Sequence, residues 1–234
     1  MIELRNIHKA YGRRVIVENL SLSIPTGTVF GFLGQNGAGK TTTMKMIVGL
    51  AFADRGTITI GGVSTNDISA RNSIGFMPES PYFYDRLTGL EFLRFCGELF
   101  DKKTVTPDYE ALLRTVDMYE ARHRAIRTYS KGMKQRLGFA QAMVNNPDYL
   151  FLDEPLDGLD PIGRKEIKTI IKALKQEGKT IFFNSHILYD TEELCDQIGI
   201  LDKGSLLYSG PVKPFCNGRP LEEQFVALIE CTTL

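Results

Sequence analysis

"TVFGFLGQNGAGKTT", residues 28–42, decides the fold. Residues 28–33 are a short apolar run that leads into glycine, the pattern of a buried strand. Residues 34–42 fit G-x-x-x-x-G-K-[ST], with Gly34, Gly39, Lys40 and Thr41 in the fixed places and Gln35, Asn36, Gly37 and Ala38 between them. From Lys40 and Thr42 onward, Met44, Ile47 and Val48 share one helical face. Glycines let the backbone wrap closely and turn its N–H groups toward a phosphate chain. Lys40 supplies a point charge for the terminal phosphates, and the Thr41 hydroxyl is a hard oxygen suited to Mg²⁺. A chance glycine-rich turn has no reason to sit between a strand and a helix, so the stretch predicts a nucleotide site.

Working outward, "YLFLDEP" (149–155) and "TIFFNSH" (180–186) read as buried strands joined by a helix with Ile167, Ile170, Ile171 and Leu174 inward. Strand, helix, strand with continuous apolar strands predicts a parallel sheet covered on both faces. Asp153 emerges at the C-terminal edge of its strand, where ligands sit in such sheets, and can hold Mg²⁺. Glu154, next along, can polarise an attacking water as general base. "GTITIGG" (56–62) alternates like a half-exposed antiparallel strand, and "IGIL" with "LLYSG" reads as a hairpin turning at Gly204.

Residues 86–145 have helical periodicity and interrupt the α/β pattern. Thr88 and Glu91 have capping-box spacing, followed by a stripe of Leu90, Leu93, Cys96 and Phe100. Leu112, Leu113, Val116 and Tyr119 predict a second helix. A third starts at "YSKGMKQRL" (129–137), where Ser130 is a good N-cap. Gly132 in its first turn weakens the helix by about 1 kcal/mol relative to alanine, and capping does not require it. A serine, a bare backbone and Lys131 and Lys134 look built to receive an anion.

Lysine plus arginine equals aspartate plus glutamate, 28 against 28, so no overall positive field favours nucleic acid or anionic lipid. No stretch approaches the roughly 18–20 apolar residues of a membrane span, and the charged N-terminus has no signal-peptide core. Cys96, Cys195, Cys216 and Cys231 lack zinc-ligand pairing and read as buried thiols of a reducing, cytosolic compartment.

Six motifs in order, across about residues 2–210, resemble the ATP-binding cassette ATPases, the motor subunits of ABC transporters. They are Tyr11, "GQNGAGKTT", "FMPES", "YSKGMKQ", "LFLDEP" with "LDGLDP", and "NSH". The wording around 76–93 and 129–143 looks most like bacterial ABC-2-type or multidrug exporters. The resemblance implies an α/β P-loop NTPase (RecA-like) core with an antiparallel β subdomain and an inserted α-helical subdomain. Within a single domain, 1–234, the core would take 1–85 and 146–210, the helical subdomain 86–145, and a short tail 211–234.

It also implies roles. ATP and Mg²⁺ would be the ligands, with Tyr11 stacking on adenine, residues 34–42 holding the phosphates, and Thr41, Asp153 and Glu79 on the metal side. Glu154, His186 and Lys40 would be catalytic, His186 sensing the γ-phosphate. Two cassettes would pair head to tail, as homodimer or heterodimer, so that Ser130 and Gly132 of one grip the ATP of the other, with Asp160 in the dimer loop. A transmembrane permease would hold the chain at the cytoplasmic face of the membrane, touching the aromatic loop "SPYFYDRLTG" (80–89). This sequence departs from the family pattern at Glu79, usually glutamine, and at Lys131 and Met133. A ribosome- or nucleic-acid-acting cassette and an importer cassette are the competing readings. Zero net charge and a single cassette argue against the first, and residues 211–234 are too short for the regulatory domain of many sugar importers.

Overall fold

The structure is a computed structural model that describes residues 1–100 and 108–233. Residues 101–107, within the interval expected to be helical, lie outside the described residues. The chain opens with two long strands, β1 (Ile2–Tyr11) and β2 (Arg14–Ile24), then β3 (Val29–Gly34) and α1 (Lys40–Ile47). β4 (Arg55–Ile60), β5 (Val63–Ser64) and β6 (Ile74–Met77) follow. The helices α2 (Gly89–Glu98), α3 (Tyr109–Thr115) and α4 (Lys131–Ala142) come next. β7 (Tyr149–Asp153), α5 (Pro161–Gln176), β8 (Thr180–Asn184) and α6 (Leu188–Leu194) return to the α/β pattern. β9 (Gln197–Asp202), β10 (Ser205–Pro211), α7 (Val212–Cys216) and α8 (Leu221–Thr233) complete it.

Two sheets result. A six-stranded sheet has the order β10-β9-β3-β8-β7-β6, parallel except for its edge strand β10. A four-stranded antiparallel sheet has the order β2-β1-β4-β5. The parallel strands alternate their side chains between two cores, as the two-residue strand period requires. Phe30, Phe32, Phe151 and Phe182 face the antiparallel sheet and α1. Phe182 sits 5.4–5.8 Å from each of the other three rings. Val29, Leu150, Leu152, Ile181 and Phe183 face the core shared with α2, α4 and α5. Burying one such ring is worth about 1.5–3 kcal/mol, so the central strands are held rigidly from both sides.

The helices depart from the sequence reading at their ends. α2 has the expected capping box, Thr88 and Glu91 bonding reciprocally, but ends at Glu98, so Phe100 falls beyond its stripe. α3 stops at Thr115, and Tyr119 lies outside it, its ring clasped by the guanidinium groups of Arg114 (3.9 Å) and Arg122 (3.8 Å). Of the three loop aromatics, Phe83 is buried edge-on against Phe92, while Tyr82 and Tyr84 are exposed. Cys96 and Cys216 are buried as expected, Cys195 is half-buried, and Cys231 is exposed on α8 because it points away from buried Ile229. No described helix is long and apolar enough to cross a membrane.

Candidate functional site

Strand register brings the chemistry to one edge. β8 lies between β3 and β7, and Asn184 at its end is opposite both Phe32 and Asp153. The segments that leave β3, β7 and β8 therefore emerge side by side, at the C-terminal edge where ligands bind in open parallel sheets. They enclose a cavity of about 600 Å³.

The loop from β3 forms one wall. Gly39 ends it with φ 111°, a left-handed backbone that favours glycine, and a Cβ there would lie 2.7 Å from the Ile16 carbonyl oxygen. α1 starts at this glycine with no side-chain cap, so its first N–H groups remain free for an anion. Asn36, Gly37, Gly39, Lys40, Thr41 and Thr42 line the cavity. Gly34 and Ala38 turn inward against each other and Leu201, and Gln35 is exposed. The Lys40 ammonium donates to the carbonyls of Gly34 (2.7 Å) and Gln35 (3.2 Å). Burial pushes its pKa down, while Glu154, Asp153 and Glu79 oppose that shift.

The opposite wall is acidic. Asp153 is almost fully buried, and Asn184 Nδ2 donates to its Oδ1 at 2.8 Å. Among the described residues no donor bonds its second oxygen. Glu154 follows in a left-handed conformation, φ 53°. His186 Nδ1 lies 2.8 Å from Glu154 Oε2, and the His186 N–H donates to the same oxygen at 3.3 Å. Burial raises the Glu154 pKa, the hydrogen bond and charge of His186 act against that, and Asp153 adds to it. A partly desolvated carboxylate beside an imidazole is suited to take a proton from water. Glu79 joins this wall.

Arg14, Ile16 and Asp157 complete the lining and were not foreseen from the sequence. Two buried amides, Asn184 and Gln135, were also missed as site residues. Their signal was a polar residue inside an apolar pattern, at the end of "IFFN" and within the Ser130 helix.

Four other expected residues lie outside the cavity. Tyr11 ends β1 with its side chain exposed, Lys9 is 5.1 Å from its ring, and its strand partner is Arg14. Ser130 caps α4, its Oγ accepting from the Met133 N–H at 3.2 Å. Gly132 sits on the first turn, where a Cβ would meet nothing closer than 3.5 Å. Asp160 caps α5, accepting from the Gly163 N–H at 2.7 Å.

A second cavity of about 580 Å³ lies between α5 and α6. Its Lys168 and Lys172 are already paired with Asp190 and Glu193, and no glycine loop borders it. Its carboxylates are engaged with lysines of the same chain, whereas among the described residues no lysine or arginine pairs with Asp153 or Glu154 in the first.

A glycine loop from a central parallel strand, with acids at the end of the strand next but one, defines a P-loop NTPase fold. The comparisons agree. The family pattern described as ABC transporter matches residues 17–157, and the chain belongs to that family as an ATP-binding cassette. An ABC transporter ATP-binding protein of Synechocystis is 47% identical over 195 residues, 82% of this chain and 55% of the relative. The bacitracin transport ATP-binding protein BcrA of Enterococcus faecalis is 40% identical over 88% of this chain and 68% of the relative. The lantibiotic transport ATP-binding protein SrtF of Streptococcus pyogenes is 37% identical over 96% of both. The chain thus spans little more than half the length of some curated relatives, 55% and 60% for two cyanobacterial ones, and nearly all of others. A solved ATP-binding subunit of an ABC transporter superimposes with a TM-score of 0.90 at 29% identity, covering 98% of this chain and 99% of that one. An ATP-binding cassette solved as a dimer in a post-hydrolysis state with ADP and Pi gives 0.83 at 23% identity, covering 91% and 99%.

Proposed function

We propose that residues 1–234 act as one ATPase domain, the ATP-binding and ATP-hydrolysing subunit of an ABC transporter, in which ATP closes two cassettes head to tail. The observation that carries this is the single cavity gathering Lys40, Thr41, Asp153, Glu154 and His186 at the sheet edge. The N–H groups of Asn36, Gly37 and residues 39–42 and the Lys40 ammonium receive the phosphates. Glu154 takes the proton of a water whose oxygen attacks the γ-phosphorus in line, as the bond to the bridging oxygen breaks and ADP and phosphate leave. His186, held through Nδ1 by Glu154, keeps its other ring nitrogen for the γ-phosphate or the water.

The donor set fits Mg²⁺. The Thr41 hydroxyl, the free oxygen of Asp153 and the Glu79 carboxylate are few, hard oxygens, the kind this ion takes alongside phosphate and water. Among the described residues, no three His, Cys, Asp or Glu side chains make a metal cage alone, which suits an ion that arrives with the nucleotide. When bound, it neutralises charge on the phosphate oxygens.

Ser130 and the Gly132 backbone then grip the γ-phosphate of the partner's ATP, and Asp160 lies in the loop between the two sites. Tyr84, packed edge-on against both Tyr82 and Phe95, forms with them an exposed aromatic patch that suits a permease anchor. Through it the chain sits on the cytoplasmic face of the membrane. Two relatives are named for bacitracin and lantibiotic transport, which favours an exporter. Selectivity for the transported compound then lies in the permease.

Glu154→Gln tests the reading. It is expected to slow turnover by about 10²–10⁴-fold and to accumulate as an ATP-bound dimer on size exclusion with MgATP. Undiminished turnover removes Glu154 from the base role, and a monomer at saturating ATP removes the head-to-tail pair.

A further inference from the structure

We infer that Gln135 is a positioning residue for Glu154, and that with Lys131 it ties the partner-facing helix to the catalytic loop of its own chain. The inference rests on the base role proposed for Glu154.

Glu154 is held in a left-handed backbone, a conformation that a non-glycine residue keeps only when its surroundings over-determine it. Three hydrogen bonds do so. The Glu154 N–H donates to the Asn184 carbonyl at 3.1 Å, and the Asp157 N–H donates to the Glu154 carbonyl at 3.1 Å. Gln135 Nε2 donates to that same carbonyl at 2.8 Å. The first two come from the strand edge and from the turn itself. Gln135 reaches in from α4, and its buried amide has this carbonyl as its partner.

Lys131 lies one helical turn before Gln135, on the same face. Its ammonium is 2.7 Å from Asp157 Oδ2, and its stem lies so close over Gly158 that a Cβ there would be 2.7 Å from Lys131 Cε. α4 thus holds the turn 154–158 at both ends. One of the two positions at which the signature departs from the family pattern, Lys131, supplies the outer tie. A helix that shifts when its N-terminus meets the partner's phosphate carries the Glu154 backbone with it. A buried glutamine serving packing alone would affect folding and ATP affinity, not the base.

Gln135→Met keeps chain length and volume and removes the donor. Expected is a fall in kcat of about tenfold, the kind of loss that small misplacement of a reacting group causes, with KM for MgATP within about twofold of the parent. In the Glu154→Gln background, single-turnover hydrolysis is expected to show no further loss, because the residue acts through Glu154. Lys131→Met, an exposed change that leaves the core intact, is expected to lower kcat about two- to threefold and less than additively with Gln135→Met. An equal loss in both backgrounds, a change in KM alone, or full activity in Gln135→Met overturns the inference. Failure of the base reading shows separately, in Glu154→Gln alone.

Discussion

A Cβ added at Gly34 would collide with the Leu201 carbonyl, and one at Gly39 would press on the Ile16 carbonyl at 2.7 Å, whereas one at Gly132 meets only ordinary contacts from 3.5 Å outward. Both regions are glycine-bearing entries into a helix. The phosphate loop needs Gly34 and Gly39 for the chain's own packing. The start of α4 does not: Ser130 already caps it, and alanine would fit. One half of the proposed site is gathered within the chain, while at the other, among the described residues, a side chain in place of Gly132 would meet only ordinary contacts. Half a site on each of two faces is what a head-to-tail pair of cassettes requires.

The largest expected effects set these halves apart. Gly132→Asp puts a side chain and a negative charge where the phosphate is to be gripped. It should cut turnover by about 10²–10³-fold, the scale of lost transition-state donors, with ATP affinity of the isolated chain unchanged. Lys40→Ala should instead weaken nucleotide binding itself by about 10–10²-fold, as loss of a charged hydrogen bond does. Gly132→Ala sharpens the contrast, because stability and activity should move in opposite directions. Alanine in the first turn should raise stability by about 0.5–1 kcal/mol in urea titrations yet lower turnover. If the alanine variant is destabilised, the glycine serves packing after all and the comparison fails.

The same contrast explains what the sequence made legible. The phosphate loop, Asp153 and Glu154 announce themselves because each follows a short apolar strand, and strand, loop and helix are local patterns. The N-cap of α4 is local too. Its proposed target lies in another chain, so only the resemblance could supply it. Gln135 and Asn184 escaped because their partners are remote in sequence: Gln135 bonds Glu154 and Asn184 bonds Asp153. Tyr119 escaped for a different reason: its partners Arg114 and Arg122 are local, but α3 stops at Thr115 and leaves the ring in the turn beyond it. The burial of Phe83 between exposed Tyr82 and Tyr84 was not foreseen either, because its partner Phe92 lies on the next helix.

A smaller effect concerns the outer edge of the gathered half. Tyr11 stands outside the cavity lining, next in register to Arg14, which lines it. If adenine stacks there, Tyr11→Ala should weaken ATP about two- to tenfold, the worth of an aromatic contact, and leave inorganic triphosphate untouched. Equal losses for both ligands would place Tyr11 in the packing of β1 instead.

The smallest effect belongs to the cavity between α5 and α6, where charge is spent within the chain. Glu193 accepts from Lys168 and Lys172, each at 2.7 Å, and those hydrogen bonds hold its pKa below the ordinary glutamate value. A depressed carboxyl pKa stabilises the fold above the unfolded value of about 4.3 and loses that contribution as pH falls through the folded pKa. The side chain is 37% exposed, so screening limits the contribution to about 0.5 kcal/mol. Glu193→Gln should therefore lower Tm by about 1–2 °C at pH 7 and flatten the fall in Tm between about pH 5 and 3. Turnover should not change, because Lys168 and Lys172 are engaged with carboxylates of their own chain. A clear loss of ATPase activity would mean that α5, which Asp160 caps, transmits to the nucleotide cavity, and the division into a self-contained half and an open half would need a third, coupled region.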